Sequence, residues 1–445
     1  MQVLDGPNLP ELAIAATRPY AAIRGWNRMA SRSWTKINLN KVPERSFWIG
    51  LLISTVYLSY RYPLQINSST TSEVYSDTPL SLQVGKFALI FLTCCISAPF
   101  LFWKRVTRLQ AGVVLFSALV FSFPLFKLLG GFETRYLDVS FWPLAALVLV
   151  VALKRTDLQA LDKYFKALFF FAVISDVIEV TLFLLFGRLP ALAWSGSLSV
   201  RFGGFLDDPN GFAAILFLLM GWTFYRFRGK SRFFMEFALV ACLLLTQSLT
   251  AIGFFGLLLL VVMCWLLIKK PLSSFLVFAG CVVLVGLLEV THALEIIIIM
   301  IAMKSGSAGD HLSIPWSNLI ARWNEWFLVG GRSYEFYESW WLSSLLSFGI
   351  VWYVGYLLLT TVLVYMVWQS FRFCQPKEEK AVLAGIFLFC SYFMVGSANL
   401  PLPTIFPINF LFYVFCFLVC FRKTSAENSA RGILSNKSSP LAVRA

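Results

Sequence analysis

RFGGFLDDPNGFAAILF, residues 201–217, joins an arginine, two adjacent aspartates and a Pro-Asn-Gly turn to an unbroken apolar run. The second half reads as a helix with no polar face. The first half reads as its entrance, with Asp208 placed to cap the first turn and Pro209 at the first helical position. A helix that is apolar all round needs either a protein core or lipid around it. The rest of the chain decides between the two.

Of 445 residues, 58% are hydrophobic, 17% aromatic and only 13% charged. Soluble domains carry roughly half apolar and a quarter charged residues. The composition therefore predicts an all-α, polytopic integral membrane protein. A spanning helix needs about 20 mostly apolar residues. Runs of that kind lie near residues 46–62, 87–103, 111–129, 141–153, 167–186, 212–227, 233–249, 251–268, 271–290, 342–368, 382–397 and 405–421, which gives about twelve transmembrane helices. The run at 294–303 is too short to cross and reads as interfacial or as an extension of the preceding helix.

The formal net charge is +14. In a soluble protein that excess would point to nucleic acid; here the basic residues sit in short stretches between apolar runs, where they set orientation, and no nucleic-acid partner is expected. The first 46 residues are polar and Arg-dotted, with nothing resembling a cleaved signal, so the chain is expected to start in the cytoplasm. Alternating the loops from that start leaves only nine of the 37 basic residues outside: Arg61, Lys86, Lys127, Arg135, Arg188, Arg201, Lys304, Arg322 and Arg332. This predicts cytoplasmic tails at 1–46 and 422–445 around a single transmembrane domain at 47–421. Periplasmic loops are expected near 187–211 and 291–341. The nine cysteines fall in apolar runs or a basic loop, which implies neither a disulfide framework nor a metal site.

Three arginines in outer loops need a reason. Arg201 stands beside a helix N-terminus whose N–H groups favour anions. A guanidinium there suits a phosphate or pyrophosphate, which it can grip through two parallel hydrogen bonds, or else anchors the headgroup level. Arg322 and Arg332 lie in the larger loop, where Glu325 and Glu335 have the i,i+3 spacing to pair with them. Gly330-Gly331 offers a turn whose backbone N–H groups could approach a ligand. Trp316, Trp323, Trp326, Trp340 and Trp341 suit either stacking on sugars or an interfacial belt. Asp176 and Glu179 lie one turn apart inside an apolar helix, where acids are costly and usually functional or paired. A cation, a proton relay and pairing with Lys127 all remain open. His311 is either an exposed loop residue or a base. Walker A, GxGxxG, HExxH and nucleophile-elbow patterns are absent, so ATPase and soluble-hydrolase chemistry has no support.

Several of these stretches resemble the O-antigen polymerase and O-antigen ligase family of bacterial inner-membrane proteins. RFGGFLDDPNGFA (201–213) is similar to that family's Arg, Gly, then Pro-Asn element at a helix start. LLLTQSLTAIGFFGLLLL (243–260) is similar to its helix, Ser-containing turn, helix element. ARWNEWFLVGGRSYEFYESWWLSSLLSFGIVWYVGYLLL (321–359) resembles its Arg, Trp, Gly-Gly and Gly-Ile-containing helix. The resemblance covers roughly residues 200–360. It departs at Ser248-Leu249, where many relatives carry Ser-Arg, and at Glu338-Ser339, where ligases carry a histidine.

The resemblance implies a metal-independent membrane glycosyltransferase of the GT-C type, without cofactor. Its donor would be an oligosaccharide on undecaprenyl pyrophosphate, and its acceptor a sugar hydroxyl on another lipid-linked repeat unit. A chain-length regulator and a flippase would be its partners, in the bacterial inner membrane. Arg201, Arg322 and Arg332 become the expected pyrophosphate binders. Glu338 is the first choice of base, followed by Asp207 and His311, while Asp208 and Asn210 are expected to hold the helix start. The missing histidine favours a polysaccharide polymerase over one alternative, a ligase to lipid A core, and the lack of paired halves in the sequence counts against the other, a transporter of lipid-linked sugar.

Overall fold

Where the structure describes them, the apolar runs fold as helices. The computed structural model of the protein describes residues 41–59, 80–101, 106–130, 134–154, 158–186, 201–206, 208–269, 275, 279, 316–331, 334 and 337–422, and among them there is no strand. In chain order the helices are α1 (Val42–Ser59), α2 (Leu80–Ser97), α3 (Arg108–Lys127), α4 (Thr134–Val151), α5 (Leu158–Phe186), α6 (Pro209–Arg226), α7 (Gly229–Leu245), α8 (Leu249–Lys269), α9 (Trp340–Phe373), α10 (Lys377–Gly396) and α11 (Ile408–Cys420). A single helical turn, Trp323–Trp326, precedes α9, and a 3-10 turn, Leu402–Thr404, precedes α11. The described residues from Pro43 onward pack as one unit. The run near 271–290 lies outside the described residues apart from Phe275 and Ala279, as do the run at 294–303 and the tails at 1–40 and 423–445.

Among the described residues, five helices, α3, α5, α8, α9 and α10, are long and apolar enough to cross a membrane. Their outward faces explain the composition. On α8, Leu257, Leu260, Val261, Trp265, Leu267 and Ile268 are all exposed, a surface that water would penalise and acyl chains would not. α11 behaves differently. Its 13 residues are all buried, and at 1.5 Å per residue they span about 20 Å, short of the roughly 30 Å hydrocarbon layer. The apolar run expected at 405–421 thus yields a short helix enclosed by protein, packed against α4 and α9. Polar bonds at helix ends fix its depth: Gln110 closes a capping box with Thr107 at the start of α3 and donates from Nε2 to the Cys420 carbonyl at 2.9 Å.

α6 and α10 lie together along their length. Gly221 faces Ala384 and Gly385 faces Leu218 so closely that a Cβ on Gly221 would stand 2.6 Å from the Ala384 carbonyl oxygen. Lipid offers helices no hydrophobic reason to associate, so small residues that let backbones touch supply the contact instead.

α9 is broken near its start. Gly349 has φ +81°, a left-handed value that glycine adopts without a Cβ penalty. The segment before α9 crosses at that break: Gly331 N–H donates to the Leu346 carbonyl at 2.8 Å and Ile350 N–H to the Phe327 carbonyl at 3.4 Å. Backbone groups that the break takes out of the helix ladder are satisfied by protein, the condition for irregular backbone in an apolar surrounding.

Candidate functional site

α6 begins where the opening stretch of sequence turns. Asp208 is extended and caps the helix: Oδ1 accepts from Asn210 N–H at 3.0 Å and Oδ2 from Gly211 N–H at 3.1 Å. Phe212 N–H bonds the Asp208 carbonyl at 2.9 Å. Pro209 has no N–H, so the first-turn amides are all committed. This corrects the expectation that free N–H groups of this helix attract an anion. Burial pushes the Asp208 carboxyl above the usual range, opposed by those amide bonds and by the Arg201 charge.

Positive charge at this entrance comes from Arg201. Its guanidinium is half-buried, with Nε donating to the Thr246 carbonyl at 3.2 Å and one terminal nitrogen to Asn210 Oδ1 at 3.1 Å. Ser248 Oγ donates to the same Asn210 oxygen at 2.6 Å, and Tyr392 O–H reaches the Asn210 carbonyl at 3.4 Å. Asn210, through its side-chain oxygen and its backbone carbonyl together, therefore gathers three elements around the guanidinium: the start of α6, the turn between α7 and α8, and the end of α10. Asn399 Nδ2, just past α10, bonds Thr250 Oγ1 at 3.2 Å and ties the same turn again.

The loop carrying Arg201 is pinned from two sides. Phe202 N–H donates to the Leu245 carbonyl at 3.1 Å, and Gly204 N–H donates to Glu179 Oε2 at 2.8 Å. Gly204 has φ +58° and packs on the Phe212 ring. Glu179, fully buried, is thus a fixing point for the loop rather than a partner of Lys127. Asp176, one turn below it, is buried at the α5–α7 contact near Cys242. Lys127 instead donates to the Gly331 carbonyl at 2.9 Å. With Gly331 N–H given to Leu346, both backbone groups of that glycine serve protein contacts, which corrects the expectation of a ligand-facing Gly-Gly turn at this residue.

A second cluster forms before α9. Asn318 Nδ2 donates to Tyr337 O–H at 2.7 Å, which joins the segment bearing Arg322 to the segment bearing Glu338. Arg322 is half-buried and precedes the Trp323–Trp326 turn. Glu338 is half-buried at the mouth of α9, next to a backbone held by Ser343, whose Oγ accepts from Tyr337 N–H at 2.8 Å and donates to its carbonyl at 2.9 Å. Arg135, on α4, lies over the Tyr334 ring 5.6 Å from its centre. Arg332, Asp207, His311 and Glu335 lie outside the described residues, as does the side chain of Glu325. The described contacts thus gather Arg201, Asp208 and Asn210 into one cluster and connect the Arg322 and Glu338 segments in another.

Sequence reasoning missed Ser248, Thr246 and Tyr392. Ser248 was visible only as the serine of a turn that resembles a family motif, with no partner assigned, and Tyr392 sits in an apolar helix with no local signal. A hydroxyl in a tight turn or an apolar run declares its partner only once the chain is folded. Among the described residues no group of His, Cys, Asp or Glu is arranged to hold a metal ion. Compared with known proteins, the chain matches no protein-family model and no curated protein.

Proposed function

We propose that this chain is a polysaccharide polymerase of the bacterial inner membrane. In this reading it is a GT-C-like bundle of about twelve spanning helices that joins oligosaccharide repeat units carried on undecaprenyl pyrophosphate at the periplasmic face. The observation that carries the reading is Arg201. Its guanidinium is held half-buried and oriented by Asn210 and the Thr246 carbonyl, at the rim of an apolar helical bundle.

The chemistry asks for such a group. The acceptor hydroxyl oxygen forms the new bond to the anomeric carbon of the donor sugar, the bond to the pyrophosphate oxygen breaks, and negative charge grows on undecaprenyl diphosphate. A fixed guanidinium, working with Arg322 and Arg332, stabilises that charge without reorganising. Glu338, at the mouth of α9, takes the acceptor proton, with Asp207 and His311 as the remaining choices. The carboxylate at 338, where ligases of the resembling family carry a histidine, favours transfer to a repeat unit over transfer to lipid A core.

The test is replacement of Arg201, Arg322 and Arg332 singly by Lys and Ala, with glycan chain length read in cells at matched expression. Short chains are expected from each, from Lys as well, because an ammonium does not reproduce the two-pronged grip. Full-length polymer from all three would remove the diphosphate assignment. A Glu338→Gln variant with normal activity would remove that residue as the base.

A further inference from the structure

The end of the bundle opposite Arg201 carries its own charge pattern, centred on the link between α6 and α7. Carboxylates there are already engaged. Arg226 pairs with Asp162 and with Glu378, each at 3.1 Å, and Arg422 pairs with Glu379. Arg228, Lys230 and Arg232 follow within six residues, and among the described residues none has a carboxylate within ion-pair distance. Glu236, one turn beyond Arg232, lies within reach of its charge but turns its carboxyl inward to accept from Thr223. Among the described residues, Arg228 and Lys230 are therefore left without a neighbouring carboxylate, and Arg232 shares only the field of Glu236, so three cations stand against one partly turned-away carboxylate.

Their presentation is fixed. Gly229 takes φ +59°, closing the turn within two residues, and Lys377 Nζ holds the Arg226 carbonyl at 3.0 Å. Arg228 and Lys230 are exposed, while Arg232 lies over the Phe224 ring at 4.9 Å. On the same two helices stand four exposed rings: Phe224, and then Phe233, Phe234 and Phe237 on the first turns of α7, each more than half exposed. Phe233 and Phe237 stack one turn apart.

We propose that this corner is a binding site for an acidic phospholipid. Its phosphodiester headgroup sits among Arg228, Lys230 and Arg232, and its acyl chains cover the phenyl rings. The excess of cations over carboxylates selects the headgroup by charge, since clustered Lys and Arg beside a membrane helix attract anionic lipid. Rings that would be costly in water select a chain-bearing ligand over a soluble anion or an acidic protein segment. The site is independent of the glycosyl-transfer reading.

The experiment uses the full-length protein in nanodiscs of phosphatidylcholine mixed with phosphatidylglycerol, with retained lipid counted by native mass spectrometry. Each cation is expected to strengthen retention about fivefold, so Arg228→Ser/Lys230→Ser/Arg232→Ser should lower it roughly a hundredfold. Its Tm in pure phosphatidylcholine should stay at the wild-type value. If that variant unfolds, Lys230→Ser alone, on an exposed side chain, should still lower retention about fivefold. Arg108→Ser/Lys154→Ser, two exposed cations at the same end, should leave it unchanged. Wild-type retention by the triple variant, or by Lys230→Ser where the triple unfolds, overturns the proposal. So does an equal loss in the Arg108/Lys154 variant, which would mean that charge anywhere on this end suffices.

Discussion

Gly349 has room for nothing larger than hydrogen. A Cβ there would press on the Leu328 carbonyl and stand 2.6 Å from Gly330 N, with φ already at +81°. Gly349→Ala is therefore expected to lower stability by at least ~1–3 kcal/mol, the usual cost of a non-glycine residue in strained backbone. A drop in Tm in detergent or nanodiscs checks it. Glu179 allows a finer test. Gln keeps an oxygen that can accept from Gly204 N–H, while Ala leaves that donor buried without a partner. Glu179→Ala should cost about 1–3 kcal/mol and Glu179→Gln clearly less; equal losses would mean that the hydrogen bond does not fix the loop. At this scale the sequence was half legible. Asp208 could be placed as a cap because capping is local, over two or three residues. Glu179 showed only as a costly acid, because its partner lies 25 residues away along the chain.

At the scale of elements, the α6–α10 pair supplies the sharpest contrast. A Cβ on Gly221 would meet the Ala384 carbonyl oxygen at 2.6 Å, and one on Gly385 would meet the Leu218 carbonyl oxygen at 2.5 Å. Gly253 and Gly256, on α8, have nothing within 4 Å of an added Cβ. Gly221→Ala and Gly385→Ala should each destabilise the bundle, by about 1–3 kcal/mol for overpacking. Gly253→Ala and Gly256→Ala should be neutral or slightly stabilising, since Ala is the better helix former by about 1 kcal/mol. Thermal unfolding of the four variants decides it, and a uniform response would contradict the packing described. Helix positions were readable because twenty-residue apolar runs carry them. Helix pairing was not, because two glycines 164 residues apart share no periodic signal (Gly221 and Gly385). The run at 405–421 shows the same limit: apolarity predicts burial, yet only packing shows that α11 is enclosed by protein.

Over the whole molecule, polar groups divide between two ends. One end is held by ion pairs among Asp162, Arg226, Glu378, Glu379 and Arg422. The other is held mainly by neutral hydrogen bonds around Asn210, Ser248, Thr250 and Asn399, with Arg201 among them. Counting basic residues between apolar runs assigns these two groups to opposite sides of a membrane, since charge in short loops is a global pattern that needs no partner. What the count could not supply was the cluster around Asn210, which brings together residues from four places in the chain. The proposed chemistry needs that end to face the periplasm, where lipid-linked repeat units would be joined. Single cysteines at Asn399 and at Arg228, in a background with the native cysteines replaced, can be challenged in whole cells with a maleimide that does not cross the inner membrane. The expected result is labelling at 399 and protection at 228 until the cells are opened. Labelling at 228 with protection at 399 would put Arg201 in the cytosol and contradict the account.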